Sequence, residues 1–150
     1  MAQSPASTQE ALELVPLGTL SLKLAPAMVL DNTPMGTLMV IEITEFEWQS
    51  DRVKASMVGK AAADWLSAGP NGVATFDVRV TLRTDDGALI YTHYSGRGDL
   101  SQGPPLTPYS VFQFETGDPR YSWLARLQAV AKGRTDAELS AVVYDLYELR

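Results

Sequence analysis

The sequence predicts an all-β protein built as a single antiparallel β-barrel of about eight strands with an internal cavity. Pro and Gly clusters punctuate the chain at short spacing, and runs of strand length lie between them. Residues 73–84 alternate apolar and polar side chains with a period of two, as a pleated strand requires. Closure into a barrel protects the edges of so many strands, and a sandwich is the alternative.

The 150 residues fit one domain, and we expect a flexible N-terminal arm at residues 1–16 and the barrel at residues 17–150. The predicted strands are Leu17–Leu24, Thr37–Trp48, Arg52–Lys60, Val73–Thr84, Ala88–Gly96, Leu106–Glu115, Leu127–Ala131 and Ala141–Leu149. Short helices are predicted only at Tyr121–Arg126 and, as an alternative to the arm, at Gln9–Leu14. No apolar stripe of helical period runs longer than about two turns.

A hairpin between the strands at 73–84 and 88–96 is the best-defined element. An Asp-Gly pair at Asp86-Gly87 separates the two runs, and Gly tolerates the positive φ that a tight turn needs. The first strand has two faces, which are Phe76, Val78, Val80 and Leu82 on one side and Asp77, Arg79, Thr81 and Arg83 on the other.

Composition excludes several classes of partner and site. The net charge of −6 and the scattered Lys and Arg argue against a nucleic-acid partner and an anionic membrane surface. The absence of Cys removes disulfides, thiol nucleophiles and thiolate metal sites, and it fits a reducing cytosol. The polar N-terminus lacks a signal peptide, and no segment approaches the roughly 20 apolar residues of a membrane span. We therefore expect a soluble, cytoplasmic protein.

Motifs for metals and cofactors are also missing. With His93 as the sole histidine, a site with two or three His ligands is impossible within one chain. The sequence has no G-x-S-x-G elbow, no P-loop and no G-x-G-x-x-G. We expect no metal and no cofactor, so that carboxylates, tyrosines, arginines or His93 would have to carry any chemistry.

The block DVRVTLRTDDGALIY at residues 77–91 resembles the bacterial and fungal family called domain of unknown function 3237. Shorter matching pieces are Thr33–Gly36, Ala63–Trp65, Pro70–Gly72, Phe114–Gly117, Pro119–Leu124 and Val142–Glu148. The resemblance covers nearly everything from Leu17 onward. It implies an antiparallel barrel with an internal cavity, and some members resemble parts of degradation or natural-product (secondary) metabolism. One departure is Ala125 after Trp123-Leu124, where members often have Asn; the strand that follows, Leu127 to Lys132, also departs from the family's glycine-punctuated pattern.

The polar face of the strand at 73–84 is the first candidate site. In one interpretation Asp77, Arg79 and Thr81 form a solvated outer surface. In the other they point into the barrel, where an Asp and an Arg could bind a carboxylate or phenolate and polarise a carbonyl. The family resemblance favours the inward interpretation, in which a symmetric dimer is the simplest cover for the apolar outer face.

Three further candidates are weighed against ordinary structural roles. Asp64 and Trp65 are either a turn residue and a core plug, or a carboxylate made more basic by an apolar wall. His93 shares a strand face with Tyr91 and is either structural or an acid–base group, since imidazole changes charge near neutral pH. The aromatic residues that either pack the core or line a ligand cavity are Phe114, Trp123 and Tyr144.

These residues lead to a functional expectation. The protein is expected to be a cofactor-free isomerase, cyclase or lyase acting on a small, mostly apolar carbonyl or phenolic compound in the barrel. Asp64 or Asp77 would move a proton, Arg79 with Tyr91 would stabilise negative charge, and His93 is a further catalytic candidate. The expected substrate contacts are Trp65, Thr81, Phe114, Trp123 and Tyr144. One alternative is a non-catalytic carrier of a hydrophobic molecule, and another is a structural or regulatory protein with a filled core.

Overall fold

In the computed structural model, which describes residues 8–150, the chain forms ten strands and one short 3-10 helix. The strands are β1 (Leu14–Leu24), β2 (Met28–Thr33), β3 (Gly36–Gln49), β4 (Lys54–Met57), β5 (Ala63–Ala68), β6 (Val73–Thr84), β7 (Leu89–Asp99), β8 (Tyr109–Glu115), β9 (Ala129–Thr135) and β10 (Ala141–Leu149). The 3-10 helix at Pro119–Arg126 connects β8 to β9, which confirms the helix predicted there.

The ten segments make a closed antiparallel barrel of eight strands. β1 and β2 pair with successive parts of β3 on one side, so together they act as one interrupted strand. β4 and β5 do the same on the other side of β3, where both also pair with β6. The ladder then runs from β6 through β7, β8, β9 and β10 to β1, and the β1–β3 pairing closes it. The predicted all-β antiparallel barrel of about eight strands is confirmed.

The β6–β7 hairpin forms where the sequence predicts it. The turn is closed by the Thr84 backbone N–H, which donates to the Ala88 carbonyl at 2.8 Å. Gly87 in the turn has a φ of +96°, a backbone conformation that residues with a side chain rarely adopt. Along β6 every second residue is buried, so that one complete face of this strand points into the barrel.

Several boundaries differ from the sequence expectations. β1 begins at Leu14, inside the predicted arm, because Leu14 pairs with Leu149 of β10. The helix considered at Gln9–Leu14 is wrong, since Glu13 donates its backbone N–H to the Arg150 carbonyl at 2.7 Å. The first seven residues of the arm lie outside the described residues. β2 and β5 were not predicted, because neither shows a clear alternation of apolar and polar side chains.

One end of the barrel, called here the closed end, is plugged by the 3-10 helix. Leu124 of this helix is fully buried, and the Tyr121 hydroxyl donates to the Asp86 carboxylate in the β6–β7 turn at 2.9 Å. Beside the plug, Trp48 is fully buried and donates its indole N–H to the Leu17 carbonyl at 2.9 Å. Side chains therefore fill this half of the interior.

The opposite end, called here the open end, is less well covered. It includes the turns between β2 and β3 and between β5 and β6. The apolar side chains that pack on the core here but keep partial exposure are Leu24, Met39, Ile41, Ala68 and Leu100. The core is therefore covered less completely at this end than at the closed end. No helix among the described residues has both the length and the hydrophobicity needed to cross a membrane.

Candidate functional site

Asp64 in β5 carries a carboxyl group into the open half of the barrel. It pairs directly with Val78 of β6, which is only 2% exposed, and directly opposed residues lie on the same face of a sheet. One carboxyl oxygen accepts a hydrogen bond from the Asp77 backbone N–H at 3.2 Å. Burial raises the pKa of Asp64 from 3.8 to about 7, against the opposing effect of that hydrogen bond. Asp64 therefore exchanges its proton near neutral pH.

Two buried phenols share this part of the interior. The rings of Tyr94 in β7 and Tyr144 in β10 meet edge to face, with their centroids 5.8 Å apart. Burial raises the pKa of Tyr94 well above its ordinary value, and Tyr144 and Asp64 raise it further. Burial also raises the pKa of Tyr144 to about 12, the neighbouring Ser110 and Tyr94 hydroxyls act against this rise, and the Asp64 charge adds to it. Both phenols therefore stay protonated and can donate hydrogen bonds.

Ser110 in β8 adds a buried hydroxyl that lies close enough to the Tyr144 hydroxyl to lower the pKa of that phenol, yet it makes no well-formed hydrogen bond within the described part of the chain. Its residue is 4% exposed and pairs with Gly96 of β7 and Ala131 of β9. A side chain at Gly96 would place its Cβ 2.7 Å from the Ser110 oxygen, so this close approach requires glycine. A buried polar atom left without a partner is costly, and a bound molecule could relieve that cost.

We call these four residues, Asp64, Tyr94, Ser110 and Tyr144, the polar cluster. Its walls are apolar, since Val78 and Phe112 are buried on the same inner face and the Tyr94 ring stacks on Phe112 at 4.1 Å. A carboxyl group that ionises near neutrality can remove and return a proton, while neutral hydroxyls can hold an oxygen that gains negative charge. The arrangement thus suits proton transfer on a small, largely apolar molecule.

Most sequence-predicted site residues lie outside the barrel. The inward interpretation of the polar face of β6 is wrong, because Val78, Val80 and Leu82 fill the interior from that strand. Since successive side chains of a strand alternate between faces, the neighbouring polar residues point outward. The predicted site residues on the outer surface are Trp65, Asp77, Arg79, Thr81, Tyr91 and His93.

His93 and Asp77 do meet, but on this outer surface. The His93 Nε2 atom lies 2.7 Å from an Asp77 carboxyl oxygen, and both side chains are close to half exposed. The contact joins β6 and β7 diagonally, because His93 pairs directly with Arg79. A side-chain contact this exposed is ordinary for neighbouring strands on a protein surface.

Two of the predicted aromatic contacts lie in the closed half. Phe114 stacks on Trp48 with a centroid distance of 4.9 Å, and it is 3% exposed. The Arg52 guanidinium carbon lies over the Trp123 ring of the 3-10 helix, 3.8 Å from the ring centre. Ala125, which departs from the family pattern, is exposed in the same helix and does not face the polar cluster. Among the predicted aromatic contacts, Tyr144 belongs to the polar cluster.

Sequence reasoning considered Tyr94 only as a neighbour of His93 and gave it no role in the site, and it missed Ser110. The alternation of β7 does place Tyr94 on the face opposite Tyr91 and His93, so knowing which face is inside would have identified it. Ser110 carries no comparable signal, because a lone serine is compatible with either face of a strand. Among residues 8–150, no group of three or more His, Asp or Glu side chains is placed to hold a metal ion.

Comparison with known proteins places this barrel among proteins that mostly lack an assigned function. It matches a β-barrel-like protein of Acinetobacter baumannii with 31% identity and a TM-score of 0.84, over 96% of this chain and 99% of that one. A conserved protein of unknown function from Rhodopseudomonas palustris matches with 22% identity and a TM-score of 0.84, over 95% of this chain and all of that one. A structure described as an enzyme from Penicillium herquei matches with 19% identity and a TM-score of 0.68, over the whole of both chains.

The family assignment follows from the sequence. The sequence model of the family described as "Protein of unknown function (DUF3237)" matches residues 12–149. A UPF0311 protein of Bradyrhizobium diazoefficiens is 24% identical in an alignment of 147 positions that covers 87% of this chain and 92% of the relative. The chain therefore belongs to the DUF3237 family, and the resemblance noted in the sequence is confirmed.

Proposed function

We propose that this DUF3237 member is an enzyme that isomerises, cyclises or cleaves a small, mostly apolar carbonyl or phenolic compound by proton transfer. The substrate would enter through the open end of the barrel and reach the polar cluster. The observation that carries the proposal is the Asp64 carboxyl group, which faces an apolar interior beside two neutral phenols.

In the proposed reaction Asp64 acts first as a base. Its carboxylate removes a proton from the substrate, either from carbon next to a carbonyl or from a phenolic hydroxyl. Negative charge then develops on the substrate oxygen, and Tyr94 and Tyr144 donate hydrogen bonds to it. The protonated Asp64 returns the proton at another atom to give an isomer or a ring, or to a leaving group in a cleavage.

The Penicillium herquei protein supports the view that such a barrel can host catalysis. Its structure is described as that of an enzyme, and its fold covers the whole of this chain with a TM-score of 0.68. At 19% identity the likeness extends to the fold alone. The roles proposed for the side chains therefore rest on the interior of this chain alone.

A carrier of a hydrophobic molecule is the alternative, and the apolar walls favour it. The inner face near Asp64 is largely hydrocarbon, including Leu66 and Phe76, which are 8% and 6% exposed. Such walls bind an apolar molecule whether or not a proton moves. The two functions differ in whether Asp64 exchanges protons with the bound molecule.

A hydrogen–deuterium exchange assay separates the two functions. The probe is β-tetralone, a small aromatic ketone with acidic hydrogens next to its carbonyl, incubated in deuterium oxide and followed by NMR. We expect the wild type to accelerate exchange and Asp64→Asn to reduce that acceleration about 100-fold. Asp77→Asn is the matched control, because Asp77 faces outward and its charge makes the smallest contribution to the raised Asp64 pKa, so the exchange rate of this variant should change far less than that of Asp64→Asn.

Binding of the same probe gives the remaining outcomes. If the wild type binds β-tetralone without accelerating exchange, the carrier function replaces the enzyme. If Asp64→Asn and Asp77→Asn lose activity equally, the assignment of Asp64 as the base is wrong. Absence of both binding and exchange for a series of enolisable ketones and phenols would overturn both functions.

A further inference from the structure

The outer surface of β7 to β10 carries an open groove of about 830 Å³ that the proposed function does not use. A barrel wall is saddle-shaped, so its outer face can be concave along the strands. The groove lies across the sheet from the inward-facing side chains of Tyr94 and Ser110. Its volume is within the range of about 300–1,000 Å³ that is typical of small-molecule sites.

The floor of this groove is an apolar row that crosses three strands. Val111 of β8 pairs with Val130 of β9, which pairs with Tyr147 of β10. All three side chains point away from the interior, and Val111 is 48% exposed. A contiguous apolar strip on an outer sheet face is poorly solvated by water, and it therefore indicates a binding surface.

A parallel row beside this floor carries two cations. Arg97 of β7 pairs with Tyr109 of β8, and Tyr109 pairs with Lys132 of β9. Adjacent strands lie about 4.8 Å apart, so the backbones of Arg97 and Lys132, on either side of Tyr109, are about 10 Å from each other. The Lys132 ammonium lies 5.9 Å from the centre of the Tyr109 ring.

Neither cation has an acidic partner within residues 8–150, although the chain has a net charge of −6. The acidic group of the groove is Asp145, which follows Lys132 in the same row. Its carboxylate is already bound by the Arg134 guanidinium at 2.6 Å. Two cations beside an apolar floor are therefore available to an anion from outside the chain.

We propose that this groove binds a small amphipathic carboxylate, with its hydrocarbon or aromatic body on Val111, Val130 and Tyr147 and its carboxylate between Arg97 and Lys132. The Tyr109 ring would lie along the body of the ligand between the two cations. The two cations match the carboxylate and the apolar floor matches the hydrocarbon body, so the groove should bind an amphipathic carboxylate more tightly than a neutral apolar molecule. The site is on the outside of the barrel, so it does not depend on the function proposed for Asp64.

The test uses a matched pair of fluorescent probes that share an aromatic body. Anilinonaphthalene sulfonate carries an anionic group, whereas N-phenylnaphthylamine is neutral, and both fluoresce more strongly on apolar surfaces. We expect the wild type to bind the anionic probe more tightly than the neutral one. Arg97→Gln and Lys132→Gln should each weaken anion binding about two- to fivefold, and the double variant should weaken it more.

The control variant is Arg83→Gln, which removes an exposed arginine on β6 outside the groove and should leave binding unchanged. Val111→Ser should weaken both probes, because it removes part of the apolar floor. Far-ultraviolet circular dichroism and a thermal melt on each variant verify that the probe does not report unfolding. A titration with decanoate should displace the anionic probe from the wild type and, less effectively, from the double variant.

Three results would overturn the proposal. The first is equal affinity for both probes, or equal binding by wild type and the double cation variant. The second is loss of probe binding on Asp64→Asn with no effect of the groove variants, which would locate the probe inside the barrel. The third is a dimer in analytical ultracentrifugation that Val111→Asp dissociates, which would make a second copy of the chain the occupant of the groove.

Discussion

The closed and open ends of the barrel are built from the same strands but differ in how their polar groups are satisfied. At the closed end Trp48 donates to a backbone carbonyl, and Tyr121 donates to Asp86 beneath the helical plug. In the open half the Ser110 hydroxyl lies beside Tyr144 without a well-formed hydrogen bond among the described residues, and Asp64 is held by one backbone N–H. The closed end therefore stabilises the fold, while the open end retains polar groups that a bound molecule can use.

The largest expected effect is at the closed end. Trp48→Ala should lower the free energy of unfolding by about 3–5 kcal/mol, since it leaves a large cavity and an unpaired Leu17 carbonyl. Urea denaturation followed by circular dichroism measures this difference. Trp65→Ala is the matched control, because Trp65 is 43% exposed on the outer face and should change stability by less than about 1 kcal/mol. Similar decreases in the free energy of unfolding for the two variants would show that the closed end does not contribute more to stability than the outer surface.

The same comparison explains what could be predicted from the sequence. Period-two alternation and an Asp-Gly turn determine β6, β7 and their hairpin locally, so these elements were predicted correctly. β5 was missed because the run from Ala63 to Ala68 mixes buried and exposed positions without alternation. Its partners on both sides, β3 and β6, stabilise it through long-range pairing that a local pattern does not contain.

The candidate site was predicted only in part for a related reason. A strand with one apolar and one polar face fits a barrel in either orientation, and the choice depends on what fills the interior. Here Trp48, Phe112 and Phe114 fill it, so the apolar face of β6 completes the core and the polar face is solvated. Asp64 was identified as a candidate base because it adjoins an aromatic residue, yet the residues that surround it come from β6, β7 and β10 rather than from Trp65.

The second prediction concerns the open end and depends on pH. Because the pKa of Asp64 rises from 3.8 to about 7 on folding, the folded state binds this proton more tightly than the unfolded state. Its contribution to stability is fully present below about pH 4 and is lost as the pH rises to about 7. Asp64→Asn abolishes this loss of stability with pH, because Asn does not ionise, and its amide oxygen can still accept the hydrogen bond from the Asp77 N–H. At pH 8 the variant should therefore be more stable than the wild type by about 2–4 kcal/mol.

Urea denaturation of both proteins at pH 4 and pH 8 tests this expectation. Other carboxyl groups, such as Asp86 and Asp118, have lowered pKa values and destabilise both proteins equally in acid, so the difference between the proteins isolates Asp64. Asp77→Asn is the control, and its stability difference from wild type should grow with pH far less, because the Asp77 charge is the smallest of the causes that shift the Asp64 pKa. A constant difference between Asp64→Asn and wild type across this range would contradict the burial of an ionisable carboxyl group at the open end.

The smallest expected effect compares two buried hydroxyls, one in each half of the barrel. Thr92 is fully buried among closed-half residues, and its hydroxyl donates to the Gln113 carbonyl at 3.0 Å. Thr92→Val should therefore lower the free energy of unfolding by about 1 kcal/mol. Ser110→Ala removes a hydroxyl that has no such bond, so we expect it to leave stability unchanged or to raise it by up to about 1 kcal/mol. Parallel urea denaturation of the two variants measures both values. A loss on Ser110→Ala as large as that on Thr92→Val would mean that Ser110 is satisfied in solution, and the open half would then hold no unpartnered hydroxyl for a ligand.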